Sequence, residues 1–301
     1  MRVAVDLHNH SCLSPCGDLS MSPRAMAARA AARGIGIFAL TDHNTALNCP
    51  AFAACCARVG VIPLFGLELN SAEEAHLLTL FPTPRAALAF GAALREYLPD
   101  YPWDPESFGD QPVVDEAESL LGFEERWLCA ALDLSFDELA LRAADAGAIV
   151  IPAHVDRSMN SVRSQLGFLP SGSYDAVESL AEPPFELTGG AAAISGSDAH
   201  FLEHIGRRPT LVDLAGEPLA ALRRSLAALA AGGWSGGAAR QREEMADSAA
   251  AMYGDFLSDE RLGLYPEAES QALFEALRSA LREKRVKPGF LPSRFIRPSE
   301  G

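Results

Sequence analysis

Residues 3–23, VAVDLHNHSCLSPCGDLSMSP, place two histidines one residue apart at the end of an apolar run. The run has the character of a buried β-strand, and side chains two residues apart on a strand point to the same face. His8 and His10 can therefore bind one ion together, with Asp6 beside them. Two imidazoles do not complete a metal site, so further ligands must come from the rest of the chain.

Segments typical of strands and of helices alternate along the front of the chain, with short connectors between them. This order is typical of a parallel sheet or a β/α barrel, and 301 residues are enough for a full-sized barrel. Two helix starts are marked by local signals, Ser22 with Pro23 and a capping-box-like start at Ser135. The predicted strands are RVAVDLHNH, IGIFALTDHN, VIPLFGLELN, AHLLTLF, AIVIPAH, YDAVESL and AAAISGSDAH.

Two segments depart from this alternation. Residues 101–131 are rich in proline, glycine, acidic and aromatic residues, and long irregular loops often cover a site. We therefore predict an irregular insertion, a candidate lid, within a barrel of residues 1–233. Residues 234–301 are predicted to form a linker and a helical C-terminal extension, because an apolar stripe from Leu273 to Leu281 has helical spacing.

The charge of the chain bears on its partners. The chain carries 25 basic and 40 acidic residues, a formal net charge of −15. Because an acidic body repels a polyanion, we expect no duplex nucleic acid to bind, whereas a small phosphorylated substrate drawn in by metal cations is compatible with this charge. Basic residues near the C-terminus keep a short RNA open as an alternative partner. The sequence says nothing about the oligomeric state.

Further features bear on the compartment. No stretch approaches the ~20 apolar residues of a membrane span, so no membrane contact is expected. The first residues lack the pattern of a signal peptide, and the six cysteines form no paired CxxC knuckles. These features predict a cytoplasmic protein with reduced thiols.

The histidines are concentrated at the ends of predicted strands. In parallel α/β structures the carboxyl ends of the strands meet at one rim, where ligands bind. A mixture of imidazoles and carboxylates without a thiolate cluster suits Zn²⁺, Mn²⁺ or Fe²⁺, and the set matches two to three divalent ions. The residues concerned are His8, His10, His43, Glu68, His154, Asp198 and His200 at strand ends, and His76 at the start of AHLLTLF.

At this point the chain resembles a known family. The ordered motifs DLHNHS, TDHN, the glutamate of GLE, the histidine of AHLL, PAH and SDAH are similar to those of the PHP (polymerase and histidinol phosphatase) family of metal-dependent phosphoesterases. The resemblance spans roughly residues 3–215. It implies an α/β fold, a distorted seven-stranded (β/α)7 barrel with metals at the carboxyl-end rim, and here a C-terminal helical extension beyond it.

The resemblance also implies the roles of individual residues. A hydroxide that bridges the metals, held by Glu68 and Asp198, would attack the phosphate ester. The metal ligands implied are His8, His10, Glu68 and Asp198 for one ion; Glu68, His76 and His154 for a second; and Asp18, His43 and His200 for a third.

Two further residues are candidates with open alternatives. Asp18 lies in a loop spaced differently from the commoner SDG form, and its alternative role is to cap the following helix. Arg157, three residues after His154, could clamp phosphate oxygens because a guanidinium matches them in a bidentate manner. The alternative for Arg157 is a surface ion pair.

These features predict hydrolysis of a phosphomonoester such as a nucleotide, a sugar phosphate or histidinol phosphate. Metal ions lower the pKa of a bound water and offset phosphate charge, so no protein nucleophile is required. One alternative is a phosphodiesterase or exonuclease that acts on nucleotide bis-phosphates or short RNA 5′ ends. Another is a non-catalytic sensor of metal or nucleotide. An amidohydrolase-type barrel is disfavoured because the two lysines, Lys284 and Lys287, lie far from any mid-chain strand.

Overall fold

The computed structural model describes residues 1–101, 104–234 and 248–290. Short 3-10 helices lie at Arg95–Tyr97, Phe185–Leu187, Leu202–His204 and Glu260–Leu264. The strands are β1 (Arg2–Asp6), β2 (Ile37–His43), β3 (Ile62–Asn70), β4 (His76–Phe81), β5 (Pro112–Val114), β6 (Leu120–Phe123), β7 (Ile149–Pro152), β8 (Val177–Glu178), β9 (Ala193–Ile194), β10 (Thr210–Asp213) and β11 (Val286–Lys287). The α-helices are α1 (Pro23–Ala32), α2 (Cys49–Val59), α3 (Pro84–Leu94), α4 (Pro105–Phe108), α5 (Phe136–Asp145), α6 (Val162–Gln165), α7 (Gly216–Ala231), α8 (Ala249–Ser258) and α9 (Glu267–Arg282).

Seven strands form one curled sheet in the order β11-β10-β1-β2-β3-β4-β7. Strands β1, β2 and β3 are parallel, whereas β4, β7, β10 and β11 each pair antiparallel with their neighbours. With the helices packed on it, the sheet forms a half-barrel, which confirms the predicted α/β class and the distorted seven-stranded barrel. The sheet is mixed rather than parallel throughout.

The centre of the sheet is β2 and β3, in which every residue is buried. Such uninterrupted burial explains why both segments read as apolar runs rather than alternating ones. The predicted helix starts are also present. Ser22 Oγ accepts the N–H of Ala25 at 3.1 Å at the start of α1, and Ser135 forms a capping box with Glu138 at the start of α5.

The later part of the barrel differs from the prediction. The segments YDAVESL and AAAISGSDAH contribute only the two-residue parallel strands β8 and β9, outside the seven-stranded sheet. Their places in that sheet are taken by β10 and β11, which the sequence analysis did not assign. Strands of four and two residues are too short to show an alternating pattern, so they escape detection from sequence.

The predicted insertion and extension both pack on the body of the protein. Within residues 104–131 the chain forms α4 and a β5–β6 hairpin, and Val113 is fully buried. The extension buries Leu273 and Leu277 of α9 in the same core, and its β11 pairs with β10. The predicted linker beyond Trp234 and the basic residues beyond position 290 lie outside the described residues. The division at residue 233 stays a prediction.

Gly66 on β3 provides a test of the packing beneath the site. A Cβ at this position would overlap the carbonyl oxygen of Thr79 on β4 and contact the side chain of Leu80. We expect Gly66→Ala to lower the free energy of unfolding by about 1–3 kcal/mol because two strands must separate. Chemical denaturation measures this change. The control is Gly254→Ala in α8, where a Cβ meets nothing within 4 Å; it should not destabilise the protein, and equal losses in both variants would contradict the account.

Candidate metal centre

The residues predicted as ligands converge at one rim of the sheet. The parallel strands β1, β2 and β3 bring their carboxyl ends there, and His43 lies opposite Glu68 in the β2–β3 register. Strand β4 runs antiparallel to β3, so its first residue, His76, lies at the same rim opposite Asn70. The remaining side chains follow β1, β7 and β9, namely His8, His10, His154, Asp198 and His200.

The buried carboxylate of Glu68 is the centre of this cluster. It is 1% exposed, and each of its two oxygens faces a different set of imidazoles. A carboxylate approached in this way from two sides has the arrangement of a ligand that bridges two cations. The nitrogen–oxygen distances are 3.1 Å for His8, 3.1 Å for His10 and 3.4 Å for His43 at Oε2, and 2.8 Å for His76 and 3.0 Å for His154 at Oε1.

The first group, formed by His8, His10, Glu68 and Asp198, has the dimensions of a tetrahedral metal site. Ligands 2.0–2.1 Å from a central ion lie about 3.3 Å from one another at the corners of a tetrahedron. The ligand–ligand distances are 3.1 Å for His8–Glu68 and for His10–Glu68, 3.2 Å for His8–His10, 3.4 Å for His10–Asp198 and 3.5 Å for His8–Asp198. The donor atoms therefore fit around one divalent cation without rearrangement.

Two more groups adjoin the first. His43, Glu68 and His76 offer ligand atoms within 4.8 Å of one another, and His154 approaches the same oxygen of Glu68 as His76. Two buried ring nitrogens, His43 Nδ1 and His154 Nδ1, have no hydrogen-bond partner within the described part of the chain. Buried polar atoms normally have partners, so His43 Nδ1, which lies 3.4 Å from Oε2 of Glu68, is available to a cation. His154 presents its other nitrogen, Nε2, to the cluster.

The carboxylates of the first group attract positive charge. Burial opposes charge on the His8 ring, but Glu178, Glu68 and Asp198 raise its pKa well above the ordinary value. Against the same effect of burial, Asp198 and Glu68 raise the pKa of His10 to about 9. The imidazoles in turn outweigh burial and hold the pKa values of Glu68 and Asp198 well below their usual range. The carboxylates thus favour positive charge at this place, and a metal cation would supply it.

The outer imidazoles behave differently. Burial lowers the pKa of His43 well below its ordinary value and lowers that of His76 as well. For His200, burial lowers the pKa to about 4. These three rings are therefore neutral near pH 7, and neutral imidazole is the form that coordinates metal ions.

Glu178 supports the centre and was missed by the sequence analysis. Its buried carboxylate accepts a hydrogen bond from His8 Nδ1 at 2.8 Å and from the backbone N–H of His154 at 3.0 Å. A carboxylate that holds the far nitrogen of a histidine fixes the ring so that Nε2 points at the metal. The signal was present, because Glu178 lies near the end of the predicted strand segment YDAVESL, as Glu68 lies near the end of VIPLFGLELN.

A second supporting contact is made by Asp42, whose side chain points to the opposite face of β2 from that of His43. Its carboxylate accepts hydrogen bonds from the Oγ atoms of Ser11 and Ser14, each at 2.7 Å. Ser14 Oγ in turn lies 3.2 Å from Nδ1 of His10. Asp42 thus orients His10 through a serine, as Glu178 orients His8 directly.

Two of the central residues have strained backbones. His154 has φ 29° and Asp198 has φ 45°, a region that residues other than glycine seldom adopt. Strain of this kind persists where the surrounding structure enforces it, and it is concentrated at functional sites. Here it turns both side chains into the cluster directly after β7 and β9.

The structure places Asp18 and Arg157 at the edge of the centre. The Asp18 carboxylate is exposed and accepts the backbone N–H of Ser20 at 2.8 Å. Among the described residues it belongs to none of the three groups of candidate ligands, whereas Cys16 joins the group of His10, His43 and His200. Arg157 Nη1 lies 3.2 Å from Asp198 Oδ2, and the Arg157 side chain is 29% exposed.

The comparison with protein families concerns the first part of the chain. Residues 6–122, which carry the first four of the ligand motifs up to His76, match the PHP domain. This segment is therefore similar to a PHP domain. At the level of this family, the predicted enzyme class, a metal-dependent hydrolase, is confirmed. No curated protein sequence matches the chain.

Solved structures with the same fold include endonuclease Q. The lesion-specific endonuclease Q from Pyrococcus furiosus is 18% identical with a TM-score of 0.51, and the match covers 76% of this chain and 56% of that one. Endonuclease Q in complex with a 27-mer duplex that has an abasic lesion at the active site is 18% identical with a TM-score of 0.52. The match covers 76% of this chain and 57% of that one. The chain described here therefore spans little more than half the length of these proteins. An amidohydrolase from Chromobacterium violaceum with bound sulfate is 22% identical, with a TM-score of 0.45 and coverage of 72% and 96%.

The expected exclusion of duplex nucleic acid is wrong. Endonuclease Q has this fold and binds a duplex, so an acidic chain with this fold cannot be assumed to reject one. Net charge sums the whole surface, whereas exposed charges act over only about 8 Å at physiological ionic strength. Binding depends on the charge near the site, where metal cations and Arg157 would act. Concerning membranes, no helix within the described ranges combines the length and apolar character that a bilayer span requires.

Glu178 allows a test of the metal centre that does not depend on activity. We expect Glu178→Gln to weaken metal binding about 10–100-fold, because the amide no longer holds His8 as a carboxylate does. Competition with a chromophoric chelator measures the affinity. The control is Asp175→Asn, a buried carboxylate three residues upstream that accepts the N–H of Val150 and contacts Arg282, and this variant should keep its metal affinity. Unchanged affinity in Glu178→Gln would remove the assigned role.

Proposed function

We propose that this protein is a metal-dependent phosphoesterase that hydrolyses phosphomonoesters such as a nucleotide, a sugar phosphate or histidinol phosphate. The observation that carries the proposal is the two-sided approach to Glu68, with one tetrahedral group on one oxygen and a second pair of imidazoles on the other. Adjacent cations that share a carboxylate are the arrangement used to stabilise both the attacking and the leaving oxygen of a phosphate ester.

The proposed ligand assignment draws on the three groups, with His154 added beside His76 and with His43 assigned to the third ion together with His200. Two to three divalent ions, zinc, manganese or iron, would occupy them, and Glu68 would be shared by two ions. When bound, such ions supply an activated water as nucleophile and positive charge for the phosphate. The proposed ligands are His8, His10, Glu68 and Asp198 for the first ion, Glu68, His76 and His154 for the second, and His43 and His200 for the third.

The side chains of the protein itself then orient the reaction. Glu68 and Asp198 both contact the imidazoles of His8 and His10. The two carboxylates would position the attacking water between them. Arg157 lies against Asp198 and is partly exposed, so it can turn toward a phosphate that arrives from solvent. Burial of the ligands excludes bulk water and strengthens each of these charge interactions.

Substitution of the ligands tests the assignment. We expect His154→Ala and Asp198→Ala to abolish turnover of phosphate esters while circular dichroism shows a folded protein, because each change removes a donor from a group that shares Glu68. Metal content, measured in parallel, should fall in both variants. Full activity in either variant would show that the assignment is wrong.

The proposed role of Arg157 has a separate readout. We expect Arg157→Ala to raise KM for a phosphomonoester about tenfold or more, since a hydrogen bond to a charged group contributes about 1.5–3 kcal/mol. Arg157→Lys should recover part of this loss, because it keeps the charge but not the fork of donors. Arg163→Ala, an exposed arginine on the nearby helix α6, is the control. If Arg157→Ala leaves KM unchanged, the ion pair with Asp198 is the only role of this arginine.

Phosphodiester cleavage is the second candidate, and the fold shared with endonuclease Q favours it. The panel that separates the candidates contains p-nitrophenyl phosphate, bis(p-nitrophenyl) phosphate, free nucleotides, sugar phosphates, short RNA and a duplex with an abasic site. The proposal expects phosphate release from monoesters by protein that retains its metals, with the diesters and the duplex slower. Preference for the diesters or the duplex would replace it with the second candidate. Failure on every substrate would favour the non-catalytic sensor.

The panel should use the complete chain. Helix α9 and strand β11 share the core and the sheet with the barrel, so removal of the C-terminal extension would disturb the fold as well as any substrate contact. Differences between substrates measured on the intact protein avoid this ambiguity.

A further inference from the structure

A thiol lies among the imidazoles of the third group. Cys16, His10, His43 and His200 each offer a ligand atom, and these four atoms lie within 4.8 Å of one another. His10 and His43 are buried whereas Cys16 is exposed, so this group lies where the buried cluster meets solvent. A donor set of one sulfur and several imidazole nitrogens is typical of a transition-metal site.

The loop between β1 and α1 holds Cys16 in this position. The backbone N–H of Asp18 donates to the carbonyl of His200 at 2.9 Å, which ties the loop to the segment that carries His200. A Cβ at Gly17 would overlap the carbonyl oxygen of Ser11, so the tight path of the loop requires glycine there. Cys16 therefore faces the third group because of the loop backbone.

The same geometry turns the Asp18 side chain away. Its carboxylate accepts the N–H of Ser20 at 2.8 Å and is exposed to solvent. This local turn satisfies the carboxylate within its own loop. Asp18 thus contributes its backbone to the link with His200, and the thiol two residues earlier occupies the place that the resemblance gives to an aspartate.

We propose that Cys16 is a thiolate ligand of the third metal ion, together with His43 and His200, and that this ion is zinc or ferrous iron rather than manganese. The inference rests on the proposed function and deepens it. Thiolate is a soft ligand that selects zinc and iron, whereas carboxylate and water suit manganese and magnesium. The third position would then differ in metal preference from the carboxylate-containing first group.

A second cysteine supports this thiol. The thiol of Cys129 neighbours that of Cys16. It lies on a segment anchored to the site, because Nδ2 of Asn44, the residue after His43, donates to the carbonyls on either side of Cys129 at 2.8 and 2.9 Å. An S–H group held beside a metal-bound sulfur is a positioning contact that tunes the ligand. Cys129 is therefore a positioning residue.

Cobalt substitution tests the sulfur ligand directly. A cobalt(II)–thiolate bond gives an intense charge-transfer absorption in the near ultraviolet, whereas cobalt bound only by nitrogen and oxygen does not. We expect the complete protein, loaded with Co²⁺ in the presence of a phosphine reductant, to show this absorption. Cys16→Ser should lose it, and Cys129→Ser should shift its energy without removing it.

Matched variants show whether the absorption depends on Cys16 itself. Cys55→Ser changes a buried cysteine of α2 whose Sγ donates to the carbonyl of Glu116, a bond that serine can keep, and the absorption should be unaffected. Asp18→Asn should also retain the absorption, because its carboxylate is not a ligand in this proposal. In the unmodified protein, bound zinc should protect Cys16 from alkylation, as measured by peptide mass analysis. This last measurement does not depend on the folding of a variant.

The results separate this inference from the proposed function. A cobalt-loaded protein without thiolate absorption that still hydrolyses phosphate esters would overturn the role of Cys16 and leave the phosphoesterase intact. Persistence of the absorption in Cys16→Ser, or its loss in Asp18→Asn alone, would also overturn it. Thiolate absorption that depends on Cys16 in a protein inactive on every ester would support the metal site and refute the function.

Discussion

A carboxylate buried among imidazoles is the interaction on which the rest of this molecule depends. Glu68 lies near the end of β3, a strand in which every residue is buried, and is 1% exposed. A charge removed from water in this way is costly unless opposite charge surrounds it. Five ring nitrogens within 3.4 Å provide that surrounding, and they come from four separate segments of the chain. The fold is thus the means by which distant histidines reach one carboxylate.

The mixed sheet makes this convergence possible. Three parallel strands bring His8, His10, His43 and Glu68 to one rim, and the antiparallel turn from β3 to β4 returns His76 to the same rim. The backbone strain at His154 and Asp198 then turns two more side chains inward. Because Glu178 and Asp42 fix the inner rings from behind, the donor atoms stand at metal-binding separations before any ion enters.

Local charge, rather than total charge, governs what such a site accepts. The chain is strongly acidic, yet its fold is shared with an enzyme that binds duplex DNA, so the argument from net charge failed. In the proposed function, cations bound at the rim and Arg157 beside Asp198 would act on a phosphate at contact distance, whereas acidic groups on the far surface are screened. The same reasoning explains why composition alone could not limit the substrates of this protein.

The sequence by itself determined the class of fold, the candidate ligands and the family, because strand-end histidines in a fixed order leave a pattern that can be read along the chain. Only the tertiary structure decided which partners meet. The role of Glu178, the place of Cys16 beside His43 and His200, and the direction of the Asp18 side chain depend on contacts between residues far apart in sequence or on the path of one loop. Strands as short as β10 and β11 show no alternating pattern in the sequence. The antiparallel direction of β4 is not visible in the sequence either, since side chains alternate in the same way whichever direction a strand runs.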